Sequence, residues 1–233
     1  EDDRLQFKIM YDPNTYCEFE IQLVLDRLLK ICEEMAKDAN CKVADIESVT
    51  EYEKKLILND FNATETEYPK NKTVAEMFEE QVEKTPNNTA LVFENESLTY
   101  AELNKKANSL AHKLREIGVK PDDFVAIIAD RSIEMICGIY GIIKAGGAYV
   151  PIDPTYPAER IEFMLEDSAP KAVIKYTKKE VKIPEGIEVI DPEKYKEGED
   201  KNPEKIKTQE DLIYLIYTSG TTGKPKAVAL EER

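Results

Sequence analysis

From Thr73 to Tyr217, short apolar runs alternate with stretches whose apolar residues recur every three or four positions. That alternation restricts the fold more than any other feature of the chain. Phe124–Ala129, Ala148–Ile152, Ala172–Lys175, Ile187–Ile190 and Leu212–Tyr217 are too short for helices and read as strands, the continuously apolar ones buried on both faces. Between them, Leu103, Ala107, Leu110, Ala111, Leu114 and Ile117 mark one helix face, which Gly118 closes at the C′ position. Ser132 caps a helix running to Lys144. Pro157 stands at the first helical position before Ile161, Met164 and Leu165. Strands alternating with helices in this way predict an α/β fold with a mostly parallel sheet and flanking helices.

Helix starts are marked by Thr-x-x-Glu capping boxes at Thr50/Glu53, Thr73/Glu76 and Thr99/Glu102. Val74, Met77, Phe78 and Val82 form one face of the second of these helices. Thr89–Phe93 and Ser97–Thr99 read as a hairpin with Glu94-Asn95-Glu96 as a three-residue turn. Nearer the start, Leu5–Tyr11 alternates like a half-buried strand, and Ile21, Leu25, Leu28, Leu29 and Cys32 give an amphipathic helix from Phe19 to Met35. Asn59–Lys72 is polar and aperiodic, as a linker would be.

The chain has 47 acidic against 32 basic residues, a net charge of −15. A field of that sign disfavours a nucleic-acid partner, since polyphosphate backbones are repelled. The longest uncharged apolar run, Met135–Ile143, falls well short of the roughly 18 residues that span a bilayer, so no membrane partner is expected. Cys17, Cys32, Cys41 and Cys137 show no CxxC spacing and no neighbouring histidine. They read as free thiols of a reducing, cytoplasmic compartment, with no metal site. His112 is the single histidine, which excludes a histidine-dependent triad within the chain.

The chemistry concentrates after the last apolar run. Thr218-Ser219-Gly220-Thr221-Thr222-Gly223-Lys224-Pro225-Lys226 holds two glycines, four hydroxyls and two lysines. Glycine admits backbone angles and close approaches that a β-carbon would block. Successive amides can then converge on an anion, with hydroxyls as further donors and lysines as mobile charge. This is not the P-loop NTPase pattern: two residues separate Gly220 from Gly223, and Pro225 follows Lys224 where that pattern has Ser or Thr. On residue types alone a polar surface turn is also open.

The string Tyr217–Lys226 resembles the signature of the adenylate-forming superfamily. Leu98-Thr99-Tyr100-Ala101-Glu102-Leu103 is similar to the first core motif of nonribosomal peptide synthetase adenylation domains. Ile143–Asp153, followed by Pro154, Tyr156-Pro157 and Glu159-Arg160-Ile161, is similar to the second. These two motifs read as packing elements, with Gly146-Gly147 as a tight helix-to-strand turn. The segment before Asn62 resembles the end of a condensation domain and the linker after it.

The resemblance implies residues 1–44 as the C-terminal segment of a condensation domain, 45–72 as a linker and 73–233 as the N-terminal part of an adenylation domain. The implied fold is a truncated adenylate-forming large domain preceded by a small α/β tail. The implied parent is an ATP-dependent ligase that activates an amino acid as aminoacyl-AMP and passes it to phosphopantetheine on a carrier domain. Its partners are the amino acid and the carrier and condensation domains of the same synthetase. Thr218, Ser219, Thr221 and Thr222 are implied as donors, Gly220 and Gly223 as conformational enablers and Lys226 as the catalytic charge. Lys224, at a variable position, is a weaker candidate. The motifs for adenine, ribose and magnesium lie downstream of what this sequence contains, so magnesium has no ligand here and the chain alone is expected to be inactive. Two other readings are a non-catalytic structural platform and an acyl-CoA-ligase-like enzyme, against which the condensation-like segment counts. Two positions depart from the family pattern: Ala227 replaces a usual glycine, with close packing or a strained backbone angle in question, and Glu232 replaces a usual histidine.

Overall fold

The computed structural model describes residues 6–38, 40–219 and 225–232. They divide into two compact units, residues 1–68 and 69–233.

The first unit is built from helices. Helix α1 (Glu18–Lys37) follows the expected stripe, and the Glu20 carboxylate accepts from Cys17 N at 2.8 Å across its first turn. Residues 6–11 form no strand, unlike the expected Leu5–Tyr11 (Leu5 lies outside the described residues). Among the described residues no neighbouring strand supplies the ladder that alternation alone cannot replace. Helix α2 (Glu51–Lys55) starts at the Thr50/Glu53 box and runs on as a wider turn through Leu56–Asp60, into what composition suggested was linker. Glu53 is buried; its carboxylate accepts from Thr50 N at 2.9 Å and meets Arg27 at 2.5 Å, joining α2 to α1.

The second unit carries the α/β layers. Helix α3 (Val74–Lys84) buries Phe78 but leaves Met77 exposed. Strands β1 (Thr89–Phe93) and β2 (Glu96–Thr99) pair antiparallel. Phe93 opposes Glu96, so the turn is Glu94-Asn95 rather than three residues, with Glu94 at φ 52°. There follow α4 (Tyr100–Glu116), β3 (Phe124–Ala129), α5 (Ile133–Ala145), β4 (Ala148–Ile152), α6 (Ala158–Ser168), β5 (Ala172–Tyr176), β6 (Glu188–Ile190), β7 (Leu212–Thr218) and β8 (Lys226–Glu231). Pro157 sits at the N-cap of α6, one residue earlier than expected.

The sheet order is β6-β5-β3-β4-β7-β8, parallel except for β8. The chain goes from β3 through α5 to β4, then back across β3 through α6 to β5. Right-handed crossovers in opposite directions place α5 and α6 on opposite faces. Two cores result. Leu110, Leu114, Ile127 and Ile142 pack under α4 and α5, and Val150, Met164, Leu165 and Val173 pack under α6. Strand β8 lies at the edge with all six residues exposed, including Val228 and Leu230.

Helix α5 ends at Gly146, whose φ of 96° turns the chain directly into β4, as Gly118 at φ 92° does after α4. Before that turn stands Lys144, its side chain fully buried. A buried ammonium is tolerated only when its protons are taken up. Lys144 Nζ donates to Glu79 of α3, to Asn104 Oδ1 of α4 at 2.8 Å and to Asn202 Oδ1 at 3.2 Å. Asn202 belongs to an irregular strap between β6 and β7. Asn108 Nδ2 donates to Glu199 O at 3.0 Å, Arg115 Nη2 to Glu204 O at 2.9 Å and Lys207 Nζ to Gly147 O at 3.3 Å, holding the strap down.

Two outcomes are expected. Hydrogen bonding from Arg27 and Thr50 holds the Glu53 carboxyl at about 2, against an ordinary 4.5. The native state therefore binds this proton less readily than the unfolded chain. The stabilisation is complete above the ordinary value and is lost as pH falls towards about 2. Glu53→Gln should flatten the acid limb of the stability curve of residues 1–68, read by circular dichroism. Lys144→Met strands Glu79 and two amide oxygens and should cost about 3–5 kcal/mol in urea unfolding.

Candidate functional site

The expected loop is the tip of the β7–β8 hairpin. Pairing runs from Leu212↔Glu231 to Thr218↔Lys226, and Thr218 Oγ1 donates to Lys226 O at 3.3 Å. Thr218, Ser219 and Lys226 are therefore brought together at the hairpin end, all exposed. Gly220, Thr221, Thr222, Gly223 and Lys224 lie outside the described residues.

Strand β8 was not foreseen, although Val228 and Leu230 alternate with smaller residues as an edge strand would. It explains Ala227. That residue opposes Tyr217 in the ladder, is exposed and has no left-handed backbone angle, so the methyl meets no steric objection. Strand β7 is not buried on both faces. Leu215 and Tyr217 turn into the α6 core, while Ile216 and Thr218 are exposed on the opposite face.

Three anchors fix the stem. Tyr217, 8% exposed, donates its hydroxyl to Asp167 Oδ2 at 2.7 Å, and its ring meets Phe163 edge-on with centroids 6.3 Å apart. Burial first, and then the Asp167 carboxylate, raise the Tyr217 phenol well above its ordinary value, which keeps it a donor. Tyr214 packs against Tyr149 of β4, centroids 5.7 Å apart. At the far end of β8, the Glu232 side chain is fully buried: Oε2 accepts from Val74 N at 3.0 Å and Oε1 lies 2.9 Å from Lys207 Nζ. The second contact is charge against charge without hydrogen-bond alignment. A carboxylate at the first turn of α3 is also where the helix dipole favours one. Neither Asp167 nor Glu232 announces itself by spacing, since each partner is remote in the chain.

Strands β3, β4, β5 and β7 all run the same way, so the hairpin tip projects from their carboxyl edge. Ligands of open α/β sheets bind outside that edge. A crevice of about 910 Å³ opens on the same edge, beyond β3 and β5, lined among others by Phe93, Arg131, Ser132, Tyr176, Thr177 and Asp191. It is formed by other residues than the loop's. The two upstream motifs are packing elements. Tyr100 and Leu103 sit on the α4 core, and a β-carbon on Gly147 would fall 3.0 Å from Val119 Cγ1.

Among the described residues no group of three or more His, Cys, Asp or Glu side chains is placed to hold a metal ion. All four cysteines are free, and burial pushes the Cys137 thiol up to about 12. His112 Nε2 lies 2.9 Å from Lys201 O, on the strap. No helix among the described residues is long and apolar enough to cross a membrane.

The AMP-binding enzyme family matches residues 78–233. Gramicidin S synthase 2 of Brevibacillus brevis is 44% identical over 100% of this chain, and bacitracin synthase 2 of Bacillus licheniformis 44% identical over 99%. The chain spans only 5% and 9% of those relatives' own lengths. A crystal structure of the nonribosomal peptide synthetase FmoA3 superposes with a TM-score of 0.71 at 27% identity, covering 94% of this chain and 24% of that one. Its form bound to α-methyl-L-serine-AMP gives 0.71 at 26% identity, covering 94% of this chain and 25% of that one.

Glu232→His should destabilise this unit. The imidazole loses the carboxylate's contact with Val74 N–H and leaves the Lys207 ammonium buried without a counter-charge. Breaking a buried pair predicts a loss of about 3–5 kcal/mol in urea unfolding.

Proposed function

We propose, from a chain that belongs to the AMP-binding enzyme family over residues 78–233, that its parent is a nonribosomal peptide synthetase module activating an amino acid with ATP. The observation that carries this reading is the position of the glycine- and hydroxyl-rich loop, at the carboxyl end of a parallel strand and on an anchored stem. The peptide synthetases this chain resembles and the α-methyl-L-serine-AMP bound to FmoA3 support it. Residues 1–44 are read as the end of a condensation domain and 45–72 as a linker. The incompletely covered stripe of α1, where Leu28 and Leu29 are both exposed, supports the first of these as part of a larger body.

In the reaction, a carboxylate oxygen of the amino acid attacks the α-phosphorus of ATP. The bond from that phosphorus to the β-bridging oxygen breaks, and pyrophosphate leaves with the electron pair. Negative charge grows on the leaving group, and donors already aimed at it lower the barrier. Thr218 and Ser219 at one side of the loop and Lys226 at the other are the described groups for that task. The acyl group then passes to phosphopantetheine on a carrier domain. Magnesium would neutralise phosphate charge; among the described residues no group of three or more metal-ligating side chains is placed to hold it. The cytoplasm, where ATP is plentiful, suits this chemistry.

The test is amino-acid-dependent ATP–pyrophosphate exchange by the full-length polypeptide. One or a few amino acids should support exchange, and Lys226→Ala should lower it by about 10²–10³-fold. This chain alone should give none above a loop-deleted control. Absence of exchange with every proteinogenic amino acid would leave a non-catalytic platform, and exchange with fatty acids instead would mark an acyl-CoA-ligase-like enzyme.

A further inference from the structure

Strand β7 joins the body of its sheet through β4 alone, its other edge being taken by β8. Its ladder with β4 pairs Tyr149 with Tyr214, near the start of both strands, and Pro151 further along β4 has no N–H to offer. From Leu215 to Thr218 the backbone pairs with β8, which is itself exposed along its length. The hairpin tip is thus a cantilever, and its orientation depends on side chains reaching back to α6. Leu215 supplies an undirected apolar contact. Tyr217 supplies a directed one, its hydroxyl 2.7 Å from Asp167 Oδ2 and 3.4 Å from Met164 O.

Asp167 occupies the last turn of α6, where the negative end of the helix dipole disfavours a carboxylate. A side chain kept in an unfavourable field and engaged by the residue immediately before the loop is placed for registration rather than for helix stability. We infer that Asp167 is a positioning residue for the phosphate loop, acting through the Tyr217 hydroxyl to set the height and tilt at which Thr218 and Ser219 enter it. Asp167 touches no substrate. The inference rests, for its kinetic consequence, on the adenylate-forming reading above; its mechanical consequence does not.

The experiment uses the full-length polypeptide carrying Tyr217→Phe, Asp167→Ala, Asp167→Asn and the Tyr217→Phe/Asp167→Ala pair. Pyrophosphate exchange and hydrogen–deuterium exchange of peptides covering residues 216–228 are both measured. Phenylalanine keeps the packing and loses only the donor, and asparagine keeps an accepting oxygen. The expected result is a fall in kcat of about tenfold for Tyr217→Phe and for Asp167→Ala, with KM for the amino acid unchanged. Asp167→Asn should restore most of the rate, and the pair should be no slower than either single variant. Deuterium uptake over 216–228 should rise in the two slow variants and stay at the wild-type level in Asp167→Asn. Wild-type kcat and wild-type uptake in Tyr217→Phe would overturn the inference. So would a uniform loss of stability with KM and kcat shifting together, which would mark Asp167 as structural only. If the wild-type polypeptide shows no exchange with any amino acid, the functional reading fails, and the uptake measurement still decides whether Asp167 registers the loop.

Discussion

The fully buried ammonium of Lys144 ties the second unit together. Lys144 cannot reach water, so the chain must bring it acceptors, and those it finds come from α3, α4 and the strap before β7. Its desolvation lowers the ammonium's proton affinity, and the Glu79 carboxylate works against that shift. Three elements far apart in sequence are thereby committed to one arrangement. An apolar side chain in its place would leave the strap without its central attachment. The strap in turn delivers Asp211 and Leu212, the latter donating its N–H to Asp122 Oδ1 at 2.8 Å, and so sets where β7 begins.

The hairpin that follows separates two requirements. Its tip is rich in glycine and hydroxyls, chosen for backbone freedom and donor density. Its stem is fixed from three sides, through Tyr214 on β4, Tyr217 on α6 and Glu232 on α3 and Lys207. A binding loop gains from such a stem, which fixes where its two ends stand. The third anchor needs a carboxylate, because a histidine at position 232 could not both accept from Val74 N–H and counter the Lys207 ammonium.

Most of the second unit could be read from periodicity and caps. Each Thr-x-x-Glu signal became a helix start with both reciprocal contacts, because a capping box is a local interaction complete within four residues. The central strands β3, β4 and β5 were visible because burial within the sheet demands apolar runs, while β7 was legible as a strand although only one of its faces is covered. What escaped reading was non-local. Leu5–Tyr11 has the alternation of a strand but, at residues 6–11, no partner, and β8 became a strand because β7 stood beside it. At the site, the residue types of the loop could be recognised from sequence, whereas the Asp167 and Glu232 anchors depend on contacts 50 and 158 residues apart.

The outer rim of β8 offers backbone amides and carbonyls with no further strand beside them among the described residues, flanked by outward Val228 and Leu230. A bare rim of this kind is a template for another molecule. No proline interrupts β8, although the β7–β8 ladder slips register opposite Leu230 and Glu231; Lys226 and Glu231 mark its ends. The chain's surplus of negative charge, 47 acidic residues against 32 basic, sets a repulsion between copies against such pairing. Colloidal behaviour is therefore tied to ionic strength: salt that screens the repulsion exposes the rim to self-pairing, while dilute buffer keeps the molecules dispersed.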